Sequence, residues 1–524
     1  MLRKTLGFLT LLIAVNRLTL SAQDATPPFT ISLEEATYSD WPGLQSYVAG
    51  TWDGKWILLA GRTGGLHAFL PPNPFMPMEA NKEVHVLDPL TGDHWSSSVT
   101  ILPEDLSNQM QSTNPQAFQR GNTLYVIGGY GHDETAMEMR TFPALTAIDL
   151  DILGNAVING TDITPAFRTI QDTIFEVTGG EIGMLGDTLY LFGGHSFTGV
   201  YSKPAGPQFT QVYTNRLTKF RIVDDGTDLS IADLEFITDT TAFHRRDLNF
   251  EPLMLPGEEH ALIALSGVFQ YEADWPWHEP VVVTSGGYYV DEALYQKMNN
   301  YTCPVMSIYD ADSEKSYLTL FGGFSEYWFD ADDSILKQDL NIPFVHDIST
   351  VIRNTDGTMT QYIQPISLDG LLGSNAEFLI NPEIPQYDDR IIKLTEIDGD
   401  VLAGYIFGGI DAEIPNFTPS IASNRLFKVW LHYERETPVV DLTQNGIKVY
   451  PNPVMDELTI QNLAQYGITG ISIADMLGNT LINQSSAIPS GYRKTISMEK
   501  LPAGVYTIKV SSANGFTMQQ VIKQ

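Results

Sequence analysis

The sequence predicts an all-β chain in two parts, a six-bladed β-propeller followed by a small C-terminal β-sandwich. Three observations predict it. A unit of apolar run, polar turn, apolar run and glycine recurs six times before residue 410. The last eighty or so residues form a separate series of alternating strands punctuated by Asn-Pro, Gly-Asn and Pro-Ala-Gly turns. The composition, 43% hydrophobic and 18% charged over 524 residues, is that of a globular chain rather than a disordered one.

The first element is an export signal. Arg3 and Lys4 precede an apolar stretch from Leu6 to Val15, and Ser21-Ala22 supplies small residues for cleavage before Gln23. Residues 1–22 are therefore expected to be a signal peptide, and residues 23–436 the propeller. The apolar stretch is too short to span a bilayer, and no integral membrane segment is expected in the mature protein.

The repeats come next. The second strand of each unit reads Trp56–Gly61, Leu124–Gly129, Leu189–Gly194, Leu262–Gly267, Leu318–Gly323 and Tyr405–Gly409. Polar turns suited to tight hairpins stand before them, such as Trp52-Asp53-Gly54-Lys55 and Asp398-Gly399-Asp400. Aligning Gly61, Gly128, Gly193, Gly267, Gly322 and Gly408 gives spacings of 55 to 86 residues. Strands that end in Gly-Gly before an outer strand resemble the kelch repeat, whose period is about 50 residues. The first unit resembles it most, with the outer hairpin Val86–Trp95 ending in tryptophan. Unit six stops after Arg425–Tyr433, while Phe29–Glu34 resembles the fourth strand Gln364–Asp369 of unit five. The N-terminus is expected to supply the missing strand and remove an open sheet edge.

The excess over a minimal repeat lies between the second and third strands, in loops that should emerge at one end of the propeller. These loops are rich in aromatic residues. The densest set, Tyr271, Trp275, Trp277, Tyr327 and Trp328 in units four and five, is the candidate ligand-binding surface. Flat rings stack on the apolar faces of sugars, and neighbouring carboxylates accept hydroxyl hydrogen bonds. The same rings could instead be the packed core of a lid.

Charge narrows the partners. Residues 23–440 carry 21 bases against 58 acids. Such a body repels phosphate backbones, so no nucleic acid is expected. The single thiol, Cys303, excludes a disulfide framework and any zinc site that needs two thiolates. No cofactor, metal ligand set or catalytic residue is predicted. His67, His132 and His195 follow the first three glycine turns and are read as partly exposed loop histidines rather than a metal triad. Asp224–Asp228 and Asp330–Asp333 lack the full EF-hand pattern.

After Glu436 the composition shifts. Residues 437–446 read as a linker and 447–524 as the sandwich. Val449-Tyr450-Pro451-Asn452-Pro453, Ile471–Gly478 and Leu501–Val510 follow in order. This series resembles the type A sorting domain of the type IX (Por) secretion system of Bacteroidetes. Pro451, Asn452, Pro453, Asp475, Gly478, Gly504 and Tyr506 are the residues that carry the motif. The resemblance implies the type IX machinery as a partner, and a protein that passes through the periplasm to the cell surface or the medium. The functional expectation is a propeller that binds a glycan or a surface protein through its long loops. The alternative is a carbohydrate-active propeller enzyme, galactose-oxidase-like or sugar-mutarotase-like.

Overall fold

The computed structural model describes residues 26–68, 74–200, 209–416, 419–435, 446–464, 467–476, 478–512 and 515–524. The expected signal peptide and residues 437–445 of the expected linker lie outside them. The chain divides into two compact units, Met1–Tyr433 and Glu434–Gln524.

The first unit contains six sheets that each supply four antiparallel strands to a blade of a propeller, and a short parallel strand, Ile392–Lys393, adds to the sheet of blade five beside Val305–Asp310. In blades one to five the four strands run in chain order from the innermost to the outermost, as in Val48–Trp52, Lys55–Leu59, Glu83–Leu87 and His94–Ser98 of blade one. Hairpin geometry explains the tight first turns. Asp53 and Gly54 take φ of 48° and 73°, the left-handed pair that matches strand twist. Blade six closes with the N-terminus: Thr30–Thr37 runs antiparallel to Arg425–Tyr433, from Thr30 opposite His432 to Thr37 opposite Arg425. The propeller ring is thus sealed by hydrogen bonds between its two ends.

Strand alternation buries one apolar cluster between each pair of neighbouring blades. Val48, Trp52, Ile57, Leu124 and Val126 fill the interface of blades one and two. Trp41, Trp56, Tyr405 and Phe407 fill that of blades six and one. A ten-residue helix, Leu150–Asn159, caps the first of these clusters. Asp149 accepts the Ile152 amide at its start, and Gly160 ends it in a left-handed turn. Gly154 is required there, because a Cβ would lie 2.4 Å from the Trp52 ring.

The second unit packs a three-stranded sheet, Ile447–Tyr450, Glu457–Asn462 and Arg493–Ser497, against a four-stranded one built on Ile468–Ala474 and Gly504–Ser512. Leu458, Ile460, Ile471, Ile473, Ile508 and Val521 lie in its separate core.

Candidate functional site

The glycine turns build the mouth of the propeller. In all six blades the second strand ends in two successive residues of positive φ: Ala60-Gly61, Gly128-Gly129, Gly193-Gly194, Ser266-Gly267, Gly322-Gly323 and Gly408-Gly409. The structure corrects the repeat register here. The equivalents of Gly61 and Gly267 are Gly129, Gly194, Gly323 and Gly409, the second member of each pair. Packing explains the glycines at the first position, since a Cβ on Gly128 would stand 1.9 Å from the Val177 carbonyl oxygen.

Just before each innermost strand stands another left-handed residue: Ser46, Asn114, Gly179, Asp247, Thr302 and Asn375, with φ between 47° and 62°. Their backbones join across blades. The amides of Ser46, Asn114, Gly179, Asp247 and Asn375 donate to the carbonyls of Asn375, Ser46, Asn114, Gly179 and Thr302 at 2.7–3.3 Å. Side chains add to the ring, Asn114 Nδ2 donating to Asp247 Oδ1 at 3.3 Å and Thr302 Oγ1 to Asn375 Oδ1 at 3.1 Å.

Above this ring lies a cavity of about 520 Å³, walled by loop residues from all six blades. Its aromatic walls include Phe75, Tyr130, Phe197, Phe269, Trp275, Tyr301, Phe324 and Phe344. Neighbouring rings pack edge to face, Phe75 on Tyr130 at 5.3 Å and Tyr130 on Phe197 at 5.2 Å. Two arginines enter the walls, each over a ring: Arg62 over Phe75 at 5.1 Å and Arg246 over Phe269 at 4.2 Å. Both face carboxylates, Arg62 pairing with Glu79 and Arg246 lying 3.5 Å from Asp247. The lining is therefore close to charge balance within a strongly acidic chain.

Two of the three histidines singled out from the sequence reach this cavity. His67 stacks on Phe75 at 4.2 Å, and burial pushes its pKa down to about 4. His195 is more than nine-tenths buried, not partly exposed, and burial beside Arg246 holds it well below the usual histidine range. The reason is a four-stranded sheet above the blades, Tyr130–Asp133, Glu138–Thr141, His195–Gly199 and Phe209–Tyr213, which the two long loops of blades two and three form together. His132 is apart from them, 3.4 Å from Glu134. Among the described residues no group of three His, Cys, Asp or Glu side chains is arranged to hold a metal ion.

Of the aromatic cluster expected on blades four and five, Trp275 lines the cavity, with 40% of its surface exposed. Tyr271 stands outside it, stacked on His244 at 3.9 Å with its hydroxyl donating to the Thr240 carbonyl. Trp277 lies against the buried Arg245 guanidinium at 5.1 Å. Tyr327 and Trp328 begin the hairpin Tyr327–Asp330 with Ile335–Gln338, and Lys337 sits over the Trp328 ring at 5.5 Å. Blades four and five are further tied by His278 Nε2 and Glu326 Oε2 at 2.8 Å.

Below the ring is a chamber of about 120 Å³ lined by Glu181, Glu251 and Glu377 of three innermost strands, with Asp247. Burial pushes Glu251 up to about 7 and Glu181 well above the carboxylate range, where the other acids add to the effect, while Glu377, an exposed residue, is raised by partial desolvation and by the Glu251 carboxylate. Cys303 borders the same chamber, buried, with Sγ donating to the Asn300 carbonyl at 2.8 Å. Burial raises its pKa, so it is held as a thiol.

In the second unit the motif residues fix turns. Asn452 clamps the last strand, Nδ2 donating to the Gln520 carbonyl at 3.0 Å and Oδ1 accepting from the Ile522 amide at 2.9 Å. Pro451 and Pro453, on either side, follow cis peptide bonds. Asp475 Oδ1 accepts from the Asn479 amide, and Gly478 supplies the left-handed residue of that turn. Gly504 opens the strand Gly504–Ser512, and Tyr506 within it donates its hydroxyl to the Pro502 carbonyl at 2.7 Å.

Residues 448–524 match the family described as secretion system C-terminal sorting domain. The match implies handling by the type IX machinery and export to the cell surface or the medium. No curated protein matches the chain. Among solved structures, a fungal alcohol oxidase of the AA5 family in complex with copper is similar at 10% identity and a TM-score of 0.37, covering 94% of this chain and 99% of that one. The structure of YjhT is similar at 10% identity and a TM-score of 0.40, covering 74% and 97%. Likeness at this level says nothing about chemistry, and the propeller stands on its own sheet topology.

Proposed function

We propose that this exported propeller is a non-catalytic glycan-binding protein whose ligand seats in the mouth cavity. The reading rests on one observation, a cavity of about 520 Å³ that combines flat aromatic walls with side-chain amides, hydroxyls and balanced charges. That size falls in the range of small-molecule sites, about 300–1,000 Å³. Sugar rings offer an apolar face for stacking and hydroxyls for hydrogen bonds, which is the same mixture of surfaces. Trp275 is the contact shared with the aromatic cluster read from the sequence, and Tyr271, Trp277, Tyr327 and Trp328, which do not line the cavity, are proposed to meet only the part of a ligand that extends beyond it. In this reading residues 1–22 direct passage into the periplasm, and the C-terminal unit directs the rest of the journey.

A glycan array probed with the full mature chain tests the proposal. Saturable binding that weakens on substitution of Trp275 supports it. Binding to a surface protein and to no glycan would change the ligand class, and turnover of a bound sugar would favour the enzyme reading.

A further inference from the structure

Resting on the glycan-binding reading, we propose that the mouth cavity takes the free end of a saccharide chain and excludes chain interiors. Three features of the hub carry this. The walls rise on every side, since Phe75, Tyr130, Phe197, Trp275, Phe324 and Ile410 come from blades one to six in turn. A polymer lying across a binding face needs an open groove with two exits, whereas here all six blades contribute to the wall.

The floor is narrow. The left-handed residues Ser46, Asn114, Gly179, Asp247, Thr302 and Asn375 border both the upper cavity and the lower chamber, so they form the neck between them. Direct backbone hydrogen bonds across five of the six blade junctions hold that neck. Widening it would break bonds that tie the blades together.

The chamber beneath is about a quarter of the size of the mouth cavity, about 120 Å³ against about 520 Å³, and the six-residue neck stands between the two. A chain that enters from the mouth therefore stops at the ring. There the terminal unit meets polar side chains of the neck, Asp247 and Asn375 among them, while the preceding units lie against the aromatic walls. Recognition would then saturate within a few units of the end and be indifferent to the length behind them.

The test uses the full mature chain on a glycan array in which each saccharide is printed in three forms: tethered by its reducing end, tethered by its non-reducing end, and tethered by both. Binding to at least one singly tethered form, with a loss of about tenfold or more in affinity when both ends are tethered, is the expected result. Equal binding to singly and doubly tethered forms would overturn the chain-end inference and leave glycan binding standing. Binding to no form of any saccharide would overturn the glycan reading itself, and this inference with it. Trp275→Ala, measured beside them, separates the cavity from other surfaces: end-dependent binding that survives the substitution unchanged places the ligand elsewhere and overturns the proposal.

Discussion

Arg425 and Glu35 form a two-pronged ion pair, Nε to Oε1 at 2.7 Å and Nη2 to Oε2 at 2.8 Å, between residues 390 positions apart. The pair marks where the N-terminal strand seals blade six. Its own energy is small, about 0.2–1 kcal/mol for a partly exposed pair. The strand matters more through Phe29 and Ile31, which are buried in the cluster between blades five and six. Truncating buried side chains of this kind costs about 2–5 kcal/mol each. Deleting residues 23–36 should therefore lower the melting temperature sharply and broaden the transition, whereas Glu35→Ala should barely move it. Cooperative melting that survives the deletion unchanged would disprove closure by the N-terminus.

Ser266 occupies a position where four blades carry glycine, at φ 54°, and its buried hydroxyl finds no hydrogen-bond partner among the described residues. A left-handed conformation costs a non-glycine residue about 1–2 kcal/mol, and glycine's greater unfolded-state freedom returns part of that. Ser266→Gly should stabilise the propeller by about 0.5–1.5 kcal/mol. Gly128→Ala should destabilise it, because its Cβ would collide with the Val177 backbone. Thermal melts of the two variants should move in opposite directions.

These turns show how much of the fold was legible in the sequence. Paired glycines and the likeness of Phe29–Glu34 to Gln364–Asp369 are local signals, and both placed their strands well. The neck residues were not legible. Ser46, Asn114, Gly179, Asp247, Thr302 and Asn375 share a backbone conformation, but only Asn114 and Asn375 share a residue type, so no repeat marks them. The sheet that buries His195 is assembled from strands of four or five residues in two different blades, too short for a period to show. The helix Leu150–Asn159 was hidden by the strand that runs into it, although Asp149, the Leu150–Leu153–Val157 spacing and Gly160 were signals for it. For the site, tryptophan density drew attention to blades four and five. The mouth is defined instead by equivalent positions in all six.

The two units have separate cores, so a chain ended after residue 440 should keep the propeller's cooperative melt. Without the sorting domain it should accumulate in the periplasm of the native host. Fractionation checks this, and secretion of the shortened chain at the normal level would refute the assignment of the address to residues 448–524.

Trp275 offers a way to separate binding from stability. Its side chain is 40% exposed, and the turn around it is held by its carbonyl, which accepts from the Phe269 and Gln270 amides at 3.0 and 3.2 Å. Trp275→Ala should therefore leave stability within about 1 kcal/mol of the parent. If the ring is a stacking platform, affinity for a bound glycan should fall about tenfold or more. Trp328→Ala, which removes the ring beneath Lys337, should weaken binding less. A large drop in melting temperature with Trp275→Ala would identify the ring as lid core rather than platform.

The acids of the lower chamber predict an unusual pH dependence. Glu251 is held up to about 7 by burial, against an ordinary glutamate value of 4.5, with Arg390 opposing the shift. Asp247 and Glu181, which line the same chamber, shift upward as well. A raised acid keeps its proton in the folded state after the unfolded chain has lost it. The folded state then binds more protons, and its stability falls as pH rises from about 4.5 towards 7, levelling off above. For Glu251 the loss across that window is about 1–3 kcal/mol. Glu377 is more open to solvent and should add less. Glu35 and Asp224 are shifted downward by their arginine partners and act in the opposite sense, losing their contribution below about pH 4. The propeller should therefore be most stable in mildly acidic solution. Glu251→Gln should flatten the decline between pH 5 and 7.5 by removing the proton that is lost there. Melting temperatures that hold level or rise across this interval in the parent protein would show that the chamber carboxyls ionise freely and are not held in their protonated form.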